Sequence, residues 1–318
     1  MPVTRLPLTG ARLSEPLDFA RAGMPAADSV LEASAFIPVA GGQTVQILRS
    51  TEFDAYESSP ETAAVSHLLQ QGQPSAAALV EALRIPPARL SDNFAGTARA
   101  AAKLSIAIGP TEQFVDLRAL IGTLPPDEAM VHHVPPIATS SSSTRVTEEQ
   151  RNVRLVGFLY AASREQDNDF HLIVGRDPAV TPEMYMTMEV SGLPPAHNPS
   201  FSRLKSARDA FKAFFGVHLP ALTYDFYHPP IPVTIEGSVF FDLDHAVGQH
   251  PGPPSLKSRM PTVWEVHPVT AIALGSIQEI EPFVSPRGDA HLILKTSEVD
   301  AYDEAPKPKP RRRSGKTG

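Results

Sequence analysis

The sequence predicts an α+β protein whose second half is a five-stranded sheet interrupted by one helix. Three observations predict it. Beyond residue 150, runs rich in β-branched and aromatic residues alternate with turn signals. One stretch, Phe201–Phe215, carries apolar residues at helical spacing: Phe201, Leu204, Ala207, Phe211, Phe214 and Phe215. The 33 prolines in 318 residues are about twice the usual share of roughly 5%, which excludes a helical solenoid or coiled coil.

The elements follow in order. The first half is less regular. Short strands are expected at Ala35–Val39 and Thr44–Leu48, about a Gly41-Gly42 turn. Helices are expected over Glu61–Gln70, Ser75–Leu83 (with Ser75 as N-cap) and Phe114–Ile121. Ala98–Ile108 is an apolar run that reads as helix or strand. Residues 134–148, rich in proline and serine, read as a linker between an N-terminal α+β domain (1–133) and a second domain (149–283). In the second domain Val153–Ala162 is a strand, Asp167-Asn168-Asp169 a turn and Phe170–Val174 a second strand. Met184–Val190 is a third, with Met184, Met186 and Met188 on one face. Ser200 is placed to cap the Phe201–Phe215 helix and Gly216 to end it. Pro232–Phe241 is the fourth strand and Thr262–Leu274 the fifth, bent at Pro268.

This order, with the helix between strands 3 and 4, resembles the OB-fold, a small Greek-key barrel. Asp169-Phe170-His171, Phe240-Phe241-Asp242-Leu243-Asp244-His245 and Trp264-Glu265-Val266-His267-Pro268-Val269-Thr270 resemble segments of a group of uncharacterised bacterial OB-like domains. The resemblance implies a fold over residues 149–283 and no activity.

A repeat lies outside that region. Residues 46–57, QILRSTEFDAYE, match 292–303, LILKTSEVDAYD, at an offset of 246. Two readings compete. Both copies are equivalent strands that end in turns, or both dock on a partner through Ile47, Leu48, Glu52, Asp54 and Tyr56, and through Ile293, Leu294, Glu298, Asp300 and Tyr302. Strand addition to a partner's sheet edge, with tyrosine as anchor, suits the second. The C-terminal strand is placed at 284–303 and a disordered basic tail at 304–318.

Charge limits the partners. The net charge is −7, yet residues 307–318 hold six cations and no acid, leaving −13 on residues 1–306. An acidic body disfavours phosphate backbones, so nucleic acid is expected only through the tail, at Arg311, Arg312 and Arg313. The competing reading is a solvated end. Cysteine is absent, which excludes disulfides, thiolate catalysis and zinc ribbons. No stretch of about 18 apolar residues indicates a membrane span, and the first residues lack an apolar signal region. These features suggest the cytoplasm.

Histidine beside carboxylate is the chemistry most worth weighing. Asp169 with His171, Asp242 with His245, and Glu265 with His267 are such pairs. In a strand, residues two apart share a face. If the strand ends converge, Asp169, His171, Asp242, His245 and His267 would suit a divalent metal or acid–base work. The alternative is polar residues satisfying one another. Trp264 is either core or a ligand-stacking platform. P-loop, dinucleotide-binding and nucleophile-elbow motifs are absent. The expectation is a non-enzymatic binding or scaffold protein with a protein partner. The alternatives are a metal-assisted hydrolase, phosphodiesterases included, and nucleic-acid association through the tail.

Overall fold

A computed structural model describes residues 23–26, 29–39, 44–54, 91–248, 250–276 and 292–293. The fold is mixed α+β, with one nine-stranded sheet and short helices. The strands are β1 (Val30–Pro38), β2 (Thr44–Ser50), β3 (Thr111–Phe114), β4 (Asn152–Arg164), β5 (Phe170–Gly175), β6 (Tyr185–Val190), β7 (Asp225–Phe241), β8 (Trp264–Leu274) and the two-residue β9 (Leu292–Ile293). The helices are α1 (Ala100–Lys103), α2 (Leu117–Ile121), α3 (Asp127–Val131), α4 (Phe201–Phe215), α5 (Leu243–Val247) and α6 (Pro254–Lys257). Among the described residues no helix is long and apolar enough to cross a membrane.

The sheet runs β1-β2-β7-β8-β6-β5-β4-β3-β9, and β7 also pairs with β4. Strands β4, β5, β6, β8 and β7 therefore close into a ring. All its pairings are antiparallel except β6 with β8. Alternation along each strand sends one face into a common core: Leu155, Phe170, Leu172, Val174, Met186, Met188, Val233, Ile235, Phe241, Trp264 and Val266. Phe211 and Phe215 of α4 pack into the same core.

Several local expectations are corrected. The helix expected from Phe114 begins at Leu117, where the Asp116 carboxylate accepts from the Arg118 N–H. Residues 111–114 instead extend as β3, parallel to β4. The fourth ring strand starts at Asp225 rather than Pro232. Pro229 and Pro230 fall between the Phe226↔Ala161 and Ile231↔Leu159 pairs, where the ladder is interrupted and the missing N–H costs little. Ser200 stands at the N-cap of α4, but its hydroxyl donates to the Leu104 carbonyl (2.6 Å) instead of accepting from the helix. The helices expected at 61–70 and 75–83 lie outside the described residues.

Both sides of residues 134–148 contribute to the one sheet, since β2 pairs with β7. That stretch is itself held down. Ile137 joins the core and Arg145 is buried. At the β7–β8 register shift near Gly237 and Val239, the Arg145 guanidinium donates to the Val239 carbonyl (2.7 Å) and to the His267 carbonyl. A Cβ on Gly237 would sit 2.4 Å from the Pro268 carbonyl oxygen, so this crossing requires glycine.

Candidate metal centre

Register, not chain proximity, assembles the site. His171 of β5 lies opposite Glu189 of β6. The parallel β6–β8 pairing, Thr187↔Glu265, brings Glu189 alongside His267 two residues further on. These side chains share the face turned away from the apolar core. Beside them, and reached by Glu189, lies a cavity of about 440 Å³ walled by segment 95–98, Lys103 of α1, Glu165, Asp167, Asp242 and His245.

Glu189, 1% exposed, is at the centre. Its Oε1 is 3.6 Å from His171 Nδ1 and its Oε2 is 2.6 Å from His267 Nδ1. His267 Nδ1 is also 3.0 Å from Glu265 Oε1, and its Nε2 is 3.4 Å from Asp169 Oδ2. His171 Nδ1 meets Glu165, while its Nε2 is 3.3 Å from the Thr187 hydroxyl. Two sets of potential ligand atoms each lie within 4.8 Å of one another: Asp169, Glu189 and His267, and Glu165, His171 and Glu189. Asp169 and His267 are fully buried, yet Asp169 Oδ2 and His267 Nε2 make no hydrogen bond among the described residues. The other Asp169 oxygen accepts from the Gly192 N–H.

Charge is concentrated here. Burial, then Asp167 and Glu189, push Asp169 well above the usual carboxylate range. Burial and Glu189 do the same to Glu265. Burial also opposes ionisation of Glu189, but His267, Lys103 and His171 override it and hold its pKa well below normal. Burial works against the Lys103 ammonium too, yet Glu189, Asp167, Asp242 and Glu265 keep it charged well above its ordinary value.

Asp242 and His245 form a separate pair on the cavity wall. Asp242 caps α5 through the backbone N–H groups of Asp244 and His245, and its Oδ2 is 2.7 Å from His245 Nδ1. Burial opposes its charge, but the hydrogen bond and charge of His245 hold its pKa at about 2. His245 is raised in turn, against burial, by Asp242 and Asp54. A histidine raised on folding contributes stability below its unfolded pKa of about 6.5 and loses it as pH rises through the folded value. His245→Gln is therefore expected to lower the melting temperature more at pH 5.5 than at pH 9. Equal losses at both pH values would show that the ion pair carries no stability.

The structure thus brings Asp169, His171 and His267 together, with Asp242 and His245 at the neighbouring wall. Sequence reading missed Glu189, Glu165, Asp167 and Lys103. Glu189 did carry a signal: it is the one charged residue in its strand. The other expected sites are corrected where described. Ile47 and Leu48 are buried in β2, between β1 and β7. Glu52 accepts from the Ala26 and Ser255 N–H groups, and Asp54 from the Gly252 N–H. These four side chains are thus used within the fold and not offered to a partner. Trp264 is fully buried against Phe241, its indole N–H donating to the Pro125 carbonyl (2.9 Å), so it cannot stack on a ligand. Tyr56, Leu294, Glu298, Asp300, Tyr302, Arg311, Arg312, Arg313 and the Ile293 side chain lie outside the described residues. Comparisons with protein families, characterised proteins and solved structures find no match to this chain.

Proposed function

We propose that this protein is a metal-assisted hydrolase of phosphodiesters, with Asp169, Glu189 and His267 holding a divalent cation. The observation that carries the reading is the pair Asp169 Oδ2 and His267 Nε2, buried and without hydrogen bonds among the described residues, beside Glu189. Buried polar atoms are normally satisfied. A cation would satisfy both and offset the surrounding carboxylates. Mixed imidazole and carboxylate donors suit Mn²⁺, Fe²⁺ or Zn²⁺. Glu265, accepting from His267 Nδ1–H, leaves Nε2 as the ligand nitrogen.

The scaffold reads as an OB-like barrel. Its support is the ring order, the parallel pairing of the third and fifth ring strands, and α4 between the third and fourth. The cavity wall supplies an acid and a base. Water attacks the phosphorus and its proton passes to Asp167, whose pKa burial has raised. The P–O bond to the leaving group breaks, and that oxygen takes a proton from His245. Lys103 draws the phosphate into an otherwise acidic cavity, and a bound cation would add to that attraction. A scaffold function through the repeat loses its first copy to the fold's interior.

The test is hydrolysis of bis(p-nitrophenyl) phosphate by the full chain with Mn²⁺, Zn²⁺ or chelator. Metal-dependent release of nitrophenolate is expected, falling at least about 100-fold in a folded His267→Ala variant. Metal retention without turnover of this diester would reject the substrate class, and neither retention nor turnover would reject the site.

A further inference from the structure

We infer that the centre binds two divalent cations bridged by Glu189, the second held by Glu165 and His171. This rests on the metal reading of the site and specifies its nuclearity. Glu189 is common to both groups of candidate ligands, and its Oε1 faces His171 Nδ1. That is the arrangement of a carboxylate spanning two ions, which in two-metal hydrolytic sites lie about 3.5–4 Å apart.

The second position has its own ligand set. Glu165, His171 and Glu189 offer atoms within 4.8 Å of one another. Thr187 lies at hydrogen-bond distance from His171 Nε2, so Nδ1 is left as the ligand nitrogen, facing Glu165 and Glu189. The two histidines thus use opposite ring nitrogens, each fixed by a different neighbour. Glu165 lies on the cavity wall while Asp169 is fully buried. The second ion therefore sits nearer the solvent-accessible side and the first lies deeper.

Charge points the same way. Glu165, Asp167, Asp169, Glu189, Asp242 and Glu265 crowd about Lys103, and a single divalent ion leaves this group negative. A second ion offsets more of that negative charge where a phosphodiester would enter.

The experiment counts metal per folded chain after dialysis of the full-length protein against Mn²⁺, with the Mn²⁺ EPR spectrum as second readout. Wild type is expected to hold two ions with an exchange-coupled spectrum. His171→Ala and Glu165→Gln are each expected to hold one, with an uncoupled spectrum. Because two separate variants remove the second position, loss of fold in one leaves the other decisive. One ion in wild type, retained in Glu165→Gln and lost in His267→Ala, overturns the second position and leaves the first standing. Two uncoupled ions overturn the bridge. No bound ion overturns both readings and leaves Glu189 as a buried ion-pair partner of two histidines.

Discussion

Arg99→Ala is expected to cost about 3–5 kcal/mol of folding stability, because it strands a buried carboxylate. The Arg99 side chain is 4% exposed and that of Glu149 is fully buried. Their contact is bidentate, at 2.8 and 2.7 Å. The guanidinium also donates to the Phe241 carbonyl and stacks 4.5 Å above the Phe240 ring. Glu149 accepts in addition from the Phe241 and Val146 N–H groups, so it cannot turn out to water when Arg99 is lost. Urea unfolding provides the measurement. The double variant Arg99→Met, Glu149→Gln removes both charges and keeps an acceptor, so it should be more stable than the single change. A single-variant loss under about 1 kcal/mol would mean that the pair is solvated and weak.

Glu189→Gln is expected to weaken metal binding by more than about 100-fold at both positions, since losing even an outer-shell partner costs 10–100-fold. The amide keeps the shape of the side chain and removes its charge, so packing against β5 and β8 is little disturbed. Diester hydrolysis should fall with the metal. Equilibrium dialysis against Mn²⁺ distinguishes this from an indirect effect: a variant that retains wild-type affinity would remove Glu189 from the ligand set, whatever became of activity. Asp242→Asn serves as the contrast. It should leave the metal in place and depress turnover by releasing His245 from its partner.

The ring strands and α4 were legible because each carries a local period. Asp169/His171 and Glu265/His267 were legible for the same reason, as residues two apart on a strand. What joined them was not. The parallel pairing of β6 with β8 spans the whole of α4 and β7, and no local pattern encodes that register. Glu189 falls on the strand face opposite the methionines, with Tyr185 and Thr187, and its meaning depends on which strands flank it. The serine run looked like a linker by composition. Two residues past Ser143, within the same stretch, Arg145 reaches carbonyls 94 and 122 residues away. The early start of β7 was hidden by prolines that happen to fall where its ladder is already broken.

The pairing of β2 with β7 also sets a schedule for synthesis. Arg49 forms its ion pair with Asp225, 176 residues later. At about 5–20 residues per second, the edge of β2 waits roughly 10–35 seconds on the ribosome before its neighbour emerges. During that interval its apolar Ile47 and Leu48 and one row of backbone donors and acceptors stand open to other nascent chains. The β1–β2 hairpin is made 176 residues ahead of its sheet neighbour, so slower translation or a missing chaperone should show as aggregation through β2.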